Sequence, residues 1–175
     1  MRLAIVLGLA AGLLLAGCEA AGQEAPPASP TRTAPPTTAP GTPARTRPPV
    51  TVDAPCPYAS AATVMDIVGQ HIARTTVTST TPHPGCAFYR PNGEKAADLA
   101  VSVLASATAA QAEAIRLTGP GANPVDTVAD GGTVAITGDG ALLAVSKDRA
   151  LVVVRINQRV SLEAIELAKL VVARL

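Results

Sequence analysis

Ten of the sixteen prolines fall between Pro26 and Pro55, and that clustering decides which part of the chain can fold. Proline has no backbone N–H and a fixed φ, so a stretch this rich in it suits neither a helix interior nor a central strand. From Glu19 to Val52 the residues are mostly Ala, Pro, Thr and Gly, with no hydrophobic period. Such a stretch buries too little apolar area to offset chain entropy, and we expect residues 18–52 to be a disordered tether of polyproline-II character. At ~3.1 Å per residue its limiting reach is on the order of 100 Å. Thr31, Thr33, Thr37, Thr38, Thr42 and Thr46 lie among the prolines, as they do in O-glycosylated stalks. Folding is left to residues 53–175, a length usual for one domain.

The N-terminal end constrains location. Met1-Arg2 precedes an uninterrupted run of apolar residues and glycine from Leu3 to Ala16, and Leu15-Ala16-Gly17-Cys18 closes it. The run is short for a membrane span and of the right length for the core of a signal peptide. A cysteine directly after Leu-Ala-Gly is the pattern read by bacterial lipoprotein processing. Residues 1–17 are therefore expected to be removed, and Cys18 to carry a diacylglyceryl group that holds the chain at the outer face of the plasma membrane. An unlipidated signal peptide and a retained short anchor are the alternatives.

This assignment also settles the cysteine count. One of three is used for acylation, which leaves Cys56 and Cys86. Outside the cytoplasm such a pair is expected to be a disulfide, closing a loop of roughly 30 residues and stabilising the fold by about 3–4 kcal/mol in the chain-entropy model. Two buried free thiols are the alternative.

Charge and composition exclude several partners. Without Arg2 the chain has 13 basic against 13 acidic residues, and residues 53–175 carry 10 against 11, with no basic stripe. Nucleic acid is not an expected partner. Phe88, Tyr58 and Tyr89 are the only aromatics, which leaves few stacking platforms and a core built from Val, Leu, Ile and Ala.

Periodicity then supplies the elements. Ser60 or Ala59 caps a short helix with Val64, Ile67 and Val68 on one face, stopped by Gly69. Strands are expected over Arg74 to Thr81, Cys86 to Tyr89, and Leu99 to Ala105, the last with Leu99, Val101 and Val103 inward. Thr108-Ala109-Ala110-Gln111 has the form of a capping box and opens a helix to about Leu117. Gly119 to Gly132 is expected to be loop. Strands over Thr133 to Thr137, Ala141 to Ser146 and Ala150 to Ile156 follow, joined by tight turns. Ser161 is expected to cap a last helix with Leu162, Ile165, Ala168, Val172 and Leu175 on one face. The expected fold is α+β, a mostly antiparallel sheet of about six strands with three helices in the order α-βββ-α-βββ-α, and one disulfide.

Cys56-Pro57-Tyr58 and Gly85-Cys86-Ala87-Phe88-Tyr89 carry a family resemblance. With Gly131-Gly132, Ala144-Val145-Ser146-Lys147 and Asn157-Gln158 in this order, residues from about Ala54 to Leu175 resemble an actinobacterial family of exported lipoproteins known as a domain of unknown function (DUF2020-like). Several members carry tryptophan, which this chain lacks. The resemblance implies an extracytoplasmic compartment, the cysteine pair and the domain extent, and it supplies no activity.

Candidate sites are few. His71 follows a helix end and His83 sits between prolines, and both read as solvated histidines. No His-x-His, His-Glu-x-x-His or Cys-x-x-Cys spacing occurs, so neither a metal nor another cofactor is expected. Asp66, His71 and Ser60 or Ser79 form a chance triple without a nucleophile elbow, and no catalytic residue is assigned. Gly119-Pro120-Gly121 and Gly138-Asp139-Gly140 read as turns, and Gly131-Gly132 as a backbone needing positive φ. Asn157, Gln158 and Arg159, after the longest apolar strand, are the ligand-contact candidates, with a plain turn as the simpler reading.

The functional expectation is an envelope lipoprotein whose domain binds or assembles with an envelope protein or lipid. A carrier with an apolar cavity is the alternative, and an envelope enzyme is third. A hollow above ~300 Å³ lined by Val and Leu favours the carrier, whereas a filled core with an exposed apolar patch favours the interaction module.

Overall fold

The computed structural model describes residues 48–175. The expected signal peptide, Cys18 and the tether up to residue 47 lie outside the described residues. Eleven elements follow in order: β1 (Thr51–Asp53), α1 (Ala61–Val68), β2 (Arg74–Thr78), β3 (Gly85–Tyr89), β4 (Lys95–Val103), α2 (Ala107–Thr118), β5 (Asn123–Val125), β6 (Gly132–Thr137), β7 (Gly140–Lys147), β8 (Ala150–Ile156) and α3 (Ser161–Val172). The class is α+β with three helices and one disulfide, as expected. The sheet has eight strands instead of six, all antiparallel, in the order β1-β2-β3-β4-β8-β7-β6-β5. Both additional strands have three residues and sit at the sheet edges. β1 straddles the expected end of the tether at Val52, and β5 lies in the expected loop with Pro124 at its centre. Two four-stranded meanders thus meet back to back at β4 and β8.

Strand register sorts the side chains into two faces. Val77, Cys86, Leu99, Val154, Leu143 and Val134 form one row across six strands. Val101, Val152 and Val145 continue this face in the next row. The face is covered by α3 and α1, and Val64, Phe88, Leu143, Val152, Val154 and Leu167 are fully buried in the core between them. At about 25 cal/mol per Å² of apolar area, this Val- and Leu-rich layer is the main source of stability. The opposite face carries Ala144, Leu151 and Val153, which pack against Ala114 of α2. Because α2 turns only Ala110 and Ala114 fully inward, it can lie close to the sheet, and Thr118 bonds Thr133 between hydroxyls at 2.6 Å.

Local chemistry explains the helix ends. The Ser60 hydroxyl accepts from the Thr63 N–H, and Gly69 adopts φ 63° and donates to Met65 O. The α2 cap is Ser106, whose hydroxyl accepts from the Ala109 N–H at 3.1 Å. Thr108, expected to head a capping box, already lies inside the helix. In α3 the cap position is Val160, and Ser161 is the first helical residue, with no side-chain cap. The buried stripe of α3 is Ala164, Leu167, Ala168 and Val171, one position away from the expected face. Leu162 is therefore 72% exposed, while Ile165, Val172 and Leu175 flank the core. Val103 ends β4 beyond helix cover and is 43% exposed, against the inward placement expected of it.

Cys56 and Cys86 form the expected disulfide, with their Cα atoms 5.7 Å apart. It fastens the segment between β1 and α1 onto β3. The Tyr58 hydroxyl donates to Pro84 O at 3.0 Å across the same closure. Burial pushes the Tyr58 phenol above its ordinary value of 10.0. Gly131 has φ 92°, and a Cβ on Gly132 would meet Ala144 O at 2.1 Å. The Gly-Gly pair therefore serves both a positive φ and the close approach of β6 to β7.

Candidate functional site

The helices cover the sheet unequally. On the α2 face the helix lies over β6, β7 and β8, with Ala100 of β4 at the margin of its cluster, and β1 to β3 lie beyond it. Alternation brings Thr76, Thr78, Ala87, Asp98, Ala100 and Ser102 to this bare half. They form the floor of an open groove of about 600 Å³, and Thr80, Thr81 and Pro82 rise at one side. The floor lies low because Gly85, Ala87 and Ala100 have little or no side chain.

The groove lining mixes apolar surface with hydroxyls and one ion pair. The Thr51 and Thr78 hydroxyls bond each other at 2.8 Å, and Thr80 donates to His83 O at 2.5 Å. Thr76 lines the groove and is only 5% exposed, whereas Ser102 is exposed. The ionised residues lining the groove are Lys95 and Asp98, which pair at 3.4 Å. Arg155 of β8 also approaches Asp98, at 3.8 Å. Tyr89 is the aromatic at the rim, with the Arg74 guanidinium 4.3 Å over its ring.

The sequence candidates lie elsewhere. Asn157 and Gln158 sit between β8 and α3, around a second open depression of about 520 Å³ that also includes Gln70, His71 and Arg90. Asn157 exchanges two amide hydrogen bonds with Gln70, at 2.7 and 3.1 Å. Gln158 donates to Val68 O at 2.9 Å and thereby satisfies a carbonyl at the end of α1. Both residues fasten α1 to the start of α3, a role that neither the ligand-contact nor the plain-turn reading anticipates. Arg159 is exposed and is not part of this lining.

The remaining candidates are placed as follows. The Ser60 hydroxyl caps α1, and the Ser79 hydroxyl accepts from the Val50 N–H at 3.0 Å, so each is engaged with backbone. His71 is exposed. Among the described residues no three His, Cys, Asp or Glu side chains gather in a metal-holding group. No described helix is long and apolar enough to cross a membrane. Sequence reasoning missed the groove. Its available signal was Thr76-Val77-Thr78 beside the small residues of Gly85-Cys86-Ala87, which together place hydroxyls around a floor without bulk.

The fold and groove define a disulfide-fastened α+β domain with one half of one sheet face exposed. The chain belongs to the family described as Domain of unknown function (DUF2020), whose model matches residues 38–175. A search of curated proteins finds no match to the chain.

Proposed function

We propose that this chain is a cell-envelope lipoprotein, held through diacylglyceryl-Cys18 at the outer face of the plasma membrane, whose domain works as a binding module and not as an enzyme. The observation that carries the binding role is the bare half of the sheet. Eight strands need cover on two faces, and α2 supplies it for only half of one. What remains is a concave surface of ligand-site size, with an ion pair and several hydroxyls and, among the described residues, no nucleophile set beside a base. The anchoring role is supported by Leu15-Ala16-Gly17-Cys18 and by a disulfide, which suits an oxidising compartment.

The carrier reading draws less support. The Val and Leu side chains that would line an internal cavity are packed to zero exposure at Val64, Leu143, Val152, Val154 and Leu167. The hollows on the domain are open, and the largest described has a floor of small and hydroxyl-bearing residues.

Two experiments test this reading. Changing Cys18→Ser should abolish labelling by a fatty-acid probe and release the chain from membranes; retained labelling contradicts the anchor. A photo-crosslinking residue at Ser102, in the groove, should give adducts in intact envelopes that one at Glu166, exposed on α3, does not. Equal labelling at both positions contradicts the groove as the working surface.

A further inference from the structure

We infer that the groove over β1 to β4 takes a neutral, polyhydroxylated ligand of the class of short glycan segments; this rests on the groove being the working surface. Size is the first argument. The 3, 5, 5 and 9 residues of β1 to β4, at about 3.4 Å each in strands about 4.8 Å apart, give a floor of about 360 Å². A stable protein interface needs on the order of 800 Å² from each partner, so this floor is too small for a protein docking face. A volume of about 600 Å³ lies within the range of small-ligand sites.

The sheet edges argue against an extended peptide. The Ser79 N–H donates to Val50 O and the Ala54 N–H to Thr75 O, so residues 50, 52 and 54 direct their backbone groups at β2. The alternate positions, 49, 51, 53 and 55, face outward, and Pro49 and Pro55 have no N–H to offer there. Pro124 stands in β5 at the other edge. Both edges are blunted against strand addition.

Chemistry selects among the remaining small ligands. Lys95 and Arg155 both pair with Asp98, so the charged groups at this side of the groove are already engaged with one another and offer hydrogen bonds in place of a free charge. An acyl chain would strip water from Thr76, Thr78 and Ser102 without replacing their hydrogen bonds, which disfavours lipid. Sugar hydroxyls both donate and accept, as do those of Thr and Ser, and they also suit the Asp98 carboxylate and the Lys95 ammonium. The floor of Gly85, Ala87 and Ala100 lets a ring approach the backbone closely. Thr76 and Ser102 make no described side-chain hydrogen bond, in contrast to the Thr51–Thr78 pair, and of the two Ser102 is exposed and able to meet a ligand directly. With Tyr89 the sole aromatic at the rim, stacking is scarce, and affinity in the millimolar range follows.

The test is amide chemical-shift mapping on the isotope-labelled full chain. The probes are neutral gluco-, manno-, galacto- and xylotetraoses, an anionic tetragalacturonate, and phosphatidylcholine vesicles. At least one neutral tetraose should give saturable shifts confined to β2, β3, β4 and the Thr80–Pro82 rim. Thr76→Val and Ser102→Ala should each weaken that binding about fivefold, the weight of one net hydrogen bond, with melting unchanged. Absence of saturable groove shifts with every neutral probe overturns the inference, as does stronger binding of tetragalacturonate or vesicles. Should the Ser102 crosslink form in envelopes while the neutral probes fail, the ligand class falls and the working surface stands.

Discussion

Removing the disulfide tests how the N-terminal part of the domain is held. Cys56 and Cys86 are 30 residues apart, and the loop they close contains α1 and β2. In the chain-entropy model a loop of this length restricts the unfolded ensemble by about 3.6 kcal/mol at 25 °C. For a domain of this size, each kcal/mol corresponds to about 3–5 °C, so Cys56→Ala/Cys86→Ala should lower Tm by about 10–18 °C. Cys86 is 2% exposed, so the alanine also opens a small void, which adds to the loss. Melting the wild-type chain with and without reductant, by calorimetry, separates the two contributions, because reduction keeps both sulfurs. The Tyr58 bond to Pro84 spans the same closure, so Tyr58→Phe should cost about 1 kcal/mol when the disulfide is intact and less once it is gone. A reduced chain melting within about 3 °C of the oxidised one would show that the disulfide contributes little to holding this part of the domain.

Other predictions concern single side chains. Gly132→Ala should destabilise by about 2–3 kcal/mol, because its Cβ would press on the Ala144 carbonyl, while Gly138→Ala, with nothing within 4 Å, should be near neutral in denaturant melts. Gln158→Ala should cost about 1 kcal/mol by freeing Val68 O, and Asn157→Ala about 1–2 kcal/mol by leaving the Gln70 amide unpaired. The Tyr58 phenol is raised above 10.0 by burial, so its contribution to stability is full below the unfolded phenol value and is lost as pH rises through the folded one. Alkaline melts of wild type and Tyr58→Phe should therefore converge, and parallel curves would count against the assignment. Glu113, hydrogen-bonded to Arg116, titrates below the ordinary carboxylate range, and Arg116→Ala should return it there in an NMR pH titration.

Much of the fold was legible in the sequence because its signals were local. Gly69 marked the end of α1, Lys147-Asp148-Arg149 and Gly138-Asp139-Gly140 marked the β6–β8 meander, and the even cysteine pair marked the disulfide. The edge strands were not legible, since three residues beside Pro49 or around Pro124 carry no alternation long enough to read. The α3 face slipped by one position because Ile165, Val172 and Leu175 are partly buried on its flank, so two overlapping apolar stripes fit the same helix. Asn157 and Gln158 stood out in the sequence as polar residues after the longest apolar strand. Their partners, Gln70 and Val68, lie 87 and 90 residues away, so only the fold reveals their structural role. The groove was hidden for a related reason. Thr in a strand reads as β propensity, and nothing local says which half of a sheet a helix will leave bare.

The most direct test of the groove as the working surface is amide-shift mapping of the labelled full chain against solubilised envelope material. Shifts should cluster on Thr76, Thr78, Ala87, Asp98, Ala100 and Ser102 and disappear when Ser102→Trp fills the groove. Shifts clustered on α1 and α3, or a pattern that survives Ser102→Trp, would contradict the groove as the working surface.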